Sequence, residues 1–153
     1  MYVRLKGDSM SEQLPARLQE IVDDFSDCQG QEKLEFLLEY AEKLPPLPDW
    51  LKNKQAEMDQ VHECMTPVFV FAENQAGRLS FHFDIPPEAP TVRGYASVLH
   101  DGVNGSTPED VLLIPDQFYL RMGLQTVITG QRLNGIGAML LHMKRLAEAQ
   151  MGA

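Results

Sequence analysis

The stretch LSFHFDIPPEAP, Leu79 to Pro90, decides how the rest of the chain is read. From Leu79 to Ile85 every odd position is apolar and every even one polar, the period-two pattern of a strand with one buried face. Leu79, Phe81, Phe83 and Ile85 are expected to face a core. Ser80, His82 and Asp84 are expected to point outward, with the imidazole solvated. Pro86, Pro87 and Pro90 end the strand. Upstream, Val68–Ala72 reads as a second strand, and Asn74-Gln75-Ala76-Gly77 between the two is a turn of hairpin length. A lone hairpin is marginal in water, so this one needs a cover.

Helices supply it. Leu14, Leu18, Ile21, Val22 and Phe25 form one apolar stripe, with Pro15 tolerated in the first turn. After a break from Phe25 to Gly30, a second helix carries Leu34, Leu37, Leu38, Ala41 and Leu44 on its buried face and stops at Pro45-Pro46. Leu47–Leu51 and the polar run Lys52–Gln60 read as a connector, with Trp50 as its plug onto the core. Past the hairpin, Thr91 is expected to cap a helix with Val92, Ala96, Leu99 and Val103 on one side, ended by Asn104-Gly105. Thr107-Pro108-Glu109-Asp110 is a strong helix start. A short helix around Phe118–Met122 ends at Gly123, and a last one runs from about Leu133 to Ala149 with Ile136, Met139, Leu140, Met143 and Leu146 inward. Two helices, two or three strands and then four helical segments make an α+β fold: a small antiparallel sheet covered by helices on one side. Residues 1–10 read as a flexible leader and residues 11–150 as a single domain.

Composition sets the wider bounds. The 153 residues are 44% hydrophobic and 23% charged, ordinary for a globular domain large enough to bury a core. No apolar run approaches the roughly 20 residues of a membrane helix, and Met1–Met10 lacks the core of a signal peptide, so a cytoplasmic location is expected. The net charge of −9 is uneven: residues 1–63 carry 14 acidic and 7 basic groups, residues 64–153 carry 8 and 6. Without clustered Lys and Arg, nucleic-acid binding is not expected. The acidic half reads as a solvated surface, or as a face that steers towards a basic protein partner.

Chemistry narrows to the cysteines. Walker and GxGxxG loops are absent, and Gly135-Ile136-Gly137 reads as close helix packing. His62 and Cys64 could share a strand face with His82 as a third ligand, but zinc sites take three or four ligands and His82 lies at an outward position, so no metal is expected. His100 and His142 read as surface or core-edge residues. Cys28, in the break between the first helices, reads as a small buried hydrophobe. Cys64 sits in a polar run before Pro67, at an edge or loop. Position alone leaves it open between a reactive and an inert thiol.

Several strings, taken in order, are similar to the SufE family of sulfur-acceptor proteins. They are Leu14-Pro15, Ile21-Val22 and Phe25; Leu34-Glu35, Leu37-Leu38 and Leu44-Pro45-Pro46-Leu47-Pro48; Val61-His62-Glu63-Cys64-Met65-Thr66-Pro67-Val68; Val92-Arg93-Gly94-Tyr95-Ala96; Thr107-Pro108; and Arg132 to Met139. The resemblance implies the fold shared with the scaffold protein IscU, and the family's acceptor cysteine falls on Cys64, in a loop with partial burial. It implies that Cys64 takes persulfide sulfur from a SufS-type cysteine desulfurase, which carries the pyridoxal phosphate. The sulfur would pass to a SufB-type cluster scaffold complex. The chain itself would then be an accessory acceptor of transferase type, with no cofactor of its own. Arg132 matches a recurrent arginine, implying support of the thiolate or of docking. Glu63 and Met65 stand where the commonest motif has glycine and glutamine, and a flanking carboxylate raises a thiol's pKa. The alternatives are a cluster or metal scaffold of the IscU-like fold, which uses three cysteines where this chain has two, and a non-catalytic desulfurase activator.

Overall fold

The computed structural model of the protein describes residues 14–151, so the expected leader lies outside the described residues. Three strands, β1 (Asp59–Gln60), β2 (Phe69–Gln75) and β3 (Arg78–Asp84), form one antiparallel sheet in that order. The expected hairpin is β2–β3, with Val70 opposite Phe83 and Ala72 opposite Phe81. Its turn is Ala76-Gly77, both at positive φ (55° and 86°), the twist a two-residue hairpin requires. Asn74 Oδ1 accepts the Gly77 N–H at 2.9 Å and closes the turn. The free edge of β3 is covered by a returning segment. Leu79 N–H donates to Ser106 O at 2.8 Å, and Phe81 N–H donates to Asn104 Oδ1 at 3.0 Å.

Leu79, Phe81, Phe83 and Ile85 are all buried on the inner face, as their alternation requires. His82 does point outward, but it is not solvated. Its side chain is 18% exposed, Nε2 lies 2.8 Å from Glu73 Oε1, and the Trp50 ring stands edge-on at 5.6 Å. Trp50 corrects a second expectation. It is 46% exposed and lies on the outer face against Phe71, while the neighbouring Leu51 is the buried plug. The 3-10 turn Asp49–Leu51 points one residue inward, and that residue is the leucine.

Five α-helices are described: α1 (Ala16–Ser26), α2 (Gln31–Ala41), α3 (Pro90–Val103), α4 (Pro108–Leu112) and α5 (Gly130–Met151). Helix α1 buries Leu18, Ile21, Val22 and Phe25. On α2 the buried set is Leu37, Tyr40 and Ala41, with Leu34 and Leu38 only half-buried. The aromatic cluster of Phe25, Phe36 and Tyr40, with centroids 4.5 to 6.1 Å apart, turns that stripe. Helix α3 fits tightly against both. A Cβ at Gly94 would stand 2.3 Å from the Leu37 carbonyl oxygen, and one at Gly102 would stand 2.9 Å from Leu18 Cα. Arg17 adds a bidentate pair to Asp101 across the same junction.

Thr91 is not the cap of α3. The helix begins one residue earlier, at Pro90, whose fixed φ and missing N–H suit a first position, and Thr91 is buried inside the first turn. Thr107 does cap α4, its hydroxyl accepting the Asp110 N–H at 3.2 Å. Helix α5 packs on β2 and α3 on β3, which leaves the other face of the sheet without an α-helix among the described residues. Among the described residues, no helix is long and apolar enough to cross a membrane.

Candidate functional site

The chain between β1 and β2 is a short loop, residues 62–67. Val61 N–H donates to Val68 O at 2.8 Å, continuing the β1–β2 ladder and tying the feet of the loop together. Within it Cys64 N–H donates to Val61 O at 3.2 Å, which folds the first half into a turn. Pro67 has no N–H to offer a ladder, so pairing resumes only at Val68.

This turn presses Cys64 onto α5 at a glycine. A Cβ at Gly135 would lie 2.9 Å from the Cys64 Sγ and 3.1 Å from its Cα, so the missing side chain is the seat of the thiol. Gly137 makes room in the same way for the Tyr119 ring, at 3.2 Å. The glycine pair therefore serves close packing, and what packs at Gly135 is the cysteine loop. Cys64 is half-buried against the core. Burial, and then the adjacent Glu63 carboxylate, push its thiol up to about 11. At pH 7 that leaves roughly one thiolate in ten thousand. In this position the sulfur is chemically quiet.

Glu63 is held as well. Its Oε1 lies 3.0 Å from His142 Nε2, while His142 Nδ1 lies 2.5 Å from Asp59 Oδ2. Bonding to its own backbone N–H, and then to His142, keeps the Glu63 carboxyl below its ordinary range. Arg145 Nη2 approaches the imidazole at 2.9 Å from Nδ1 and 3.1 Å from Nε2, and so lies across the ring. His142 is thus buried and doubly bonded rather than a surface or core-edge residue. The sequence carried one signal for this: His142 falls on the buried stripe of α5, between Met139 and Met143.

Arg132 stands in the first turn of α5, three residues and one turn before Gly135, and therefore on the same side of the helix. Its Nη1 donates to Thr91 Oγ1 at 3.3 Å. With Met65, Thr66, Ala89 and Glu88 it lines a pocket of about 140 Å³ beside the cysteine loop. Met65 is 73% exposed at that rim.

The other sequence candidates lie elsewhere. Cys28 is not the buried hydrophobe expected. It is half-buried at the surface break after α1, its Sγ directed at Asp24 O at 3.7 Å, and burial followed by Glu32 raises its pKa. His62 is exposed, and His82 is engaged by Glu73 and Trp50. His100 lies 3.1 Å from Asn104 Nδ2, and burial lowers its pKa. Among the described residues, no group of three or more His, Cys, Asp or Glu is placed to hold a metal ion. The carboxylates of Asp59 and Glu63 sit on opposite ring nitrogens of His142, and so do not converge on one point.

Comparison with known proteins bears on this loop. The family model described as SufE, Fe-S metabolism associated domain, matches residues 19–147, which include the cysteine loop and most of α5. The chain belongs to the SufE family. An uncharacterized SufE-like protein of Mycobacterium tuberculosis is 44% identical over 133 residues, covering 86% of this chain and 92% of its own length. The cysteine desulfuration protein SufE of Plasmodium vivax is 26% identical over 111 residues, 71% of this chain and 43% of its own. A solution structure of a hypothetical protein from Thermus thermophilus superposes with a TM-score of 0.81 at 35% identity. It covers 92% of this chain and 100% of its own. The α+β architecture is thus one the SufE-family chain shares with a solved structure.

Proposed function

We propose that Cys64 accepts persulfide sulfur from a pyridoxal-phosphate cysteine desulfurase and hands it to an iron–sulfur cluster scaffold. The observation that carries this reading is the placement of Cys64. The thiol sits on a short loop whose feet are tied together, seated on a glycine, in a chain of a family associated with Fe–S metabolism. The Plasmodium vivax relative named as a desulfuration protein supports the choice of chemistry.

In the step proposed, the Cys64 thiolate attacks the terminal sulfur of the partner's cysteine persulfide. A new S–S bond forms at Cys64, the partner's S–S bond breaks, and the partner's cysteine leaves as a thiolate that takes up the proton lost by Cys64. No net oxidation occurs, so no further reagent is needed. The resting thiol, held near 11 by burial and Glu63, is a poor nucleophile. Acceptance therefore requires the loop to move towards the partner, which removes the burial. Arg132, on the same side of α5 and beside the loop, supplies a cation for the thiolate or for a carboxylate on the partner. The pyridoxal phosphate works in the partner, and the cytoplasm is the compartment that keeps both cysteines as thiols. A scaffold that used three cysteines would need one more than the sequence has.

The test is intact mass after incubation with a cysteine desulfurase, cysteine and pyridoxal phosphate. A gain of about 32 Da per sulfur is expected in the wild type and in Cys28→Ser, and none in Cys64→Ser. Arg132→Ala should fold normally and accept sulfur more slowly, and salt should slow the wild type more than this variant. Equal sulfur loading of Cys64→Ser and Cys28→Ser would overturn the assignment.

A further inference from the structure

The loop that carries Cys64 is held down by very little. The bond joining its feet and the turn inside it stay within β1, β2 and the loop itself. Among the described residues, the only side-chain hydrogen bond from segment 62–67 to another element is Glu63 to His142 on α5. To this bond is added the packing of Cys64 on Gly135 and against the core.

The far end of that bond is rigidly placed. His142 is 5% exposed, and its second nitrogen is anchored to Asp59 on β1, so the ring cannot turn away from the loop. The ring thus holds one carboxylate at each nitrogen, and the Arg145 guanidinium beside it offsets part of their negative charge. The two arms are unequal. Asp59 belongs to a strand and makes the shorter bond. The Glu63 side chain is 46% exposed, makes the longer bond, and is open to competition from water or from a cation on a docking protein.

We propose that Asp59, His142 and Glu63 form a latch, and that release of Glu63 from His142 is the step that frees the Cys64 loop from its seat on α5. His142 and Glu63 are positioning residues in this scheme. Their use in sulfur transfer rests on the function proposed above, but the latch is a property of the protein alone. Opening it removes both causes of the quiet thiol together, since the sulfur leaves its burial and the carboxylate beside it is free to turn away.

The experiment measures alkylation of Cys64 by iodoacetamide, followed by intact mass, in a Cys28→Ser background so that one thiol reports. Glu63→Ala removes the bond and should speed alkylation on the order of tenfold, the scale of losing a hydrogen bond to a charged group. Glu63→Gln loses the same negative charge yet keeps an amide that can pair with His142 Nε2 in either tautomer. It should stay within about threefold of the parent, since only the weaker, neutral form of the bond remains. His142→Ala should match Glu63→Ala, and the double variant should be no faster than either single one, because all remove one interaction. If His142→Ala does not fold, the two Glu63 variants decide alone. Equal acceleration in Glu63→Ala and Glu63→Gln would reduce the effect to charge and overturn the latch, as would no acceleration in Glu63→Ala. A parent protein that gains no sulfur from a desulfurase overturns the relay function, while the alkylation ratios still decide the latch.

Discussion

Replacing Gly135 with alanine sets two effects of known size against each other at one atom. In a helix interior the change from glycine gains about 1 kcal/mol from propensity alone. Against it stands the geometry of the seat: the new Cβ would lie 2.9 Å from Cys64 Sγ and 3.1 Å from its Cα. Carbon contacts become comfortable at about 3.5 Å, so rotating the thiol is not enough and the loop backbone must retreat by roughly half an ångström. Overpacking in a rigid core costs about 1–3 kcal/mol. Here the obstacle is a loop fastened through one side-chain bond, so the cost falls at the low end and nearly cancels the propensity gain. The expected result is a urea unfolding free energy within about 1 kcal/mol of wild type, with Cys64 alkylating several-fold faster. Gly137→Ala is the control. Its Cβ meets the outer edge of the Tyr119 ring at 3.2 Å, a group that can swing, so stability should hold or rise and alkylation should not change. A Gly135→Ala protein stabilised by the full 1 kcal/mol or so, with Cys64 no more reactive, would refute the seat, since the propensity gain would then meet no opposing contact.

Phe81→Ala should cost about 3–5 kcal/mol in chemical denaturation, because the ring is fully buried under the helices. His82→Ala should cost about 1 kcal/mol for its bond to Glu73, and no measurable cost would return the imidazole to solvent. The alkylation rate of Cys64 should rise with pH towards an inflection at about 11 in the native protein and near 8.5 in urea. The sign follows from linkage. The native state holds this proton more tightly than the unfolded chain, so the contribution of Cys64 to stability is full below about pH 8.5 and is lost as pH rises towards 11. A native inflection near 8.5 would mean that the thiol is solvated.

The elements most readable in the sequence were those whose signal is local and periodic. Alternation from Leu79 to Ile85 leaves a strand no choice of face, and Thr107-Pro108 marks a helix start by chemistry confined to four residues. Strand β1 escaped because Asp59-Gln60 carries no apolar pattern; it is a strand only because β2 pairs with it. The helix stripe of α2 was displaced by aromatic packing with Phe25, a partner on another helix. At the site, the loop character of Cys64 could be read from Pro67 and the polar run, and the upward push of Glu63 on the thiol from adjacency alone. The link to His142 could not. Glu63 and Asp59 stand 79 and 83 residues from it, and no spacing rule connects a loop carboxylate to a histidine on the last helix until the fold brings them together.

The tie between Val61 and Val68 also fixes how far the sulfur can travel. Cys64 stands three residues from the nearer foot, and an extended chain spans at most about 3.3–3.6 Å per residue, so the thiol is on a tether of roughly 10 Å. With its feet closed the loop can swing but cannot lengthen. Any donor must therefore bring its reactive atom to within that radius of the β1–β2 edge, close to the rim where Met65 and Arg132 lie. Under the relay proposed above, sulfur delivery becomes a matter of close approach between two surfaces, and a donor whose own reactive cysteine lies in a deep cleft would have to extend it on a mobile arm of comparable length.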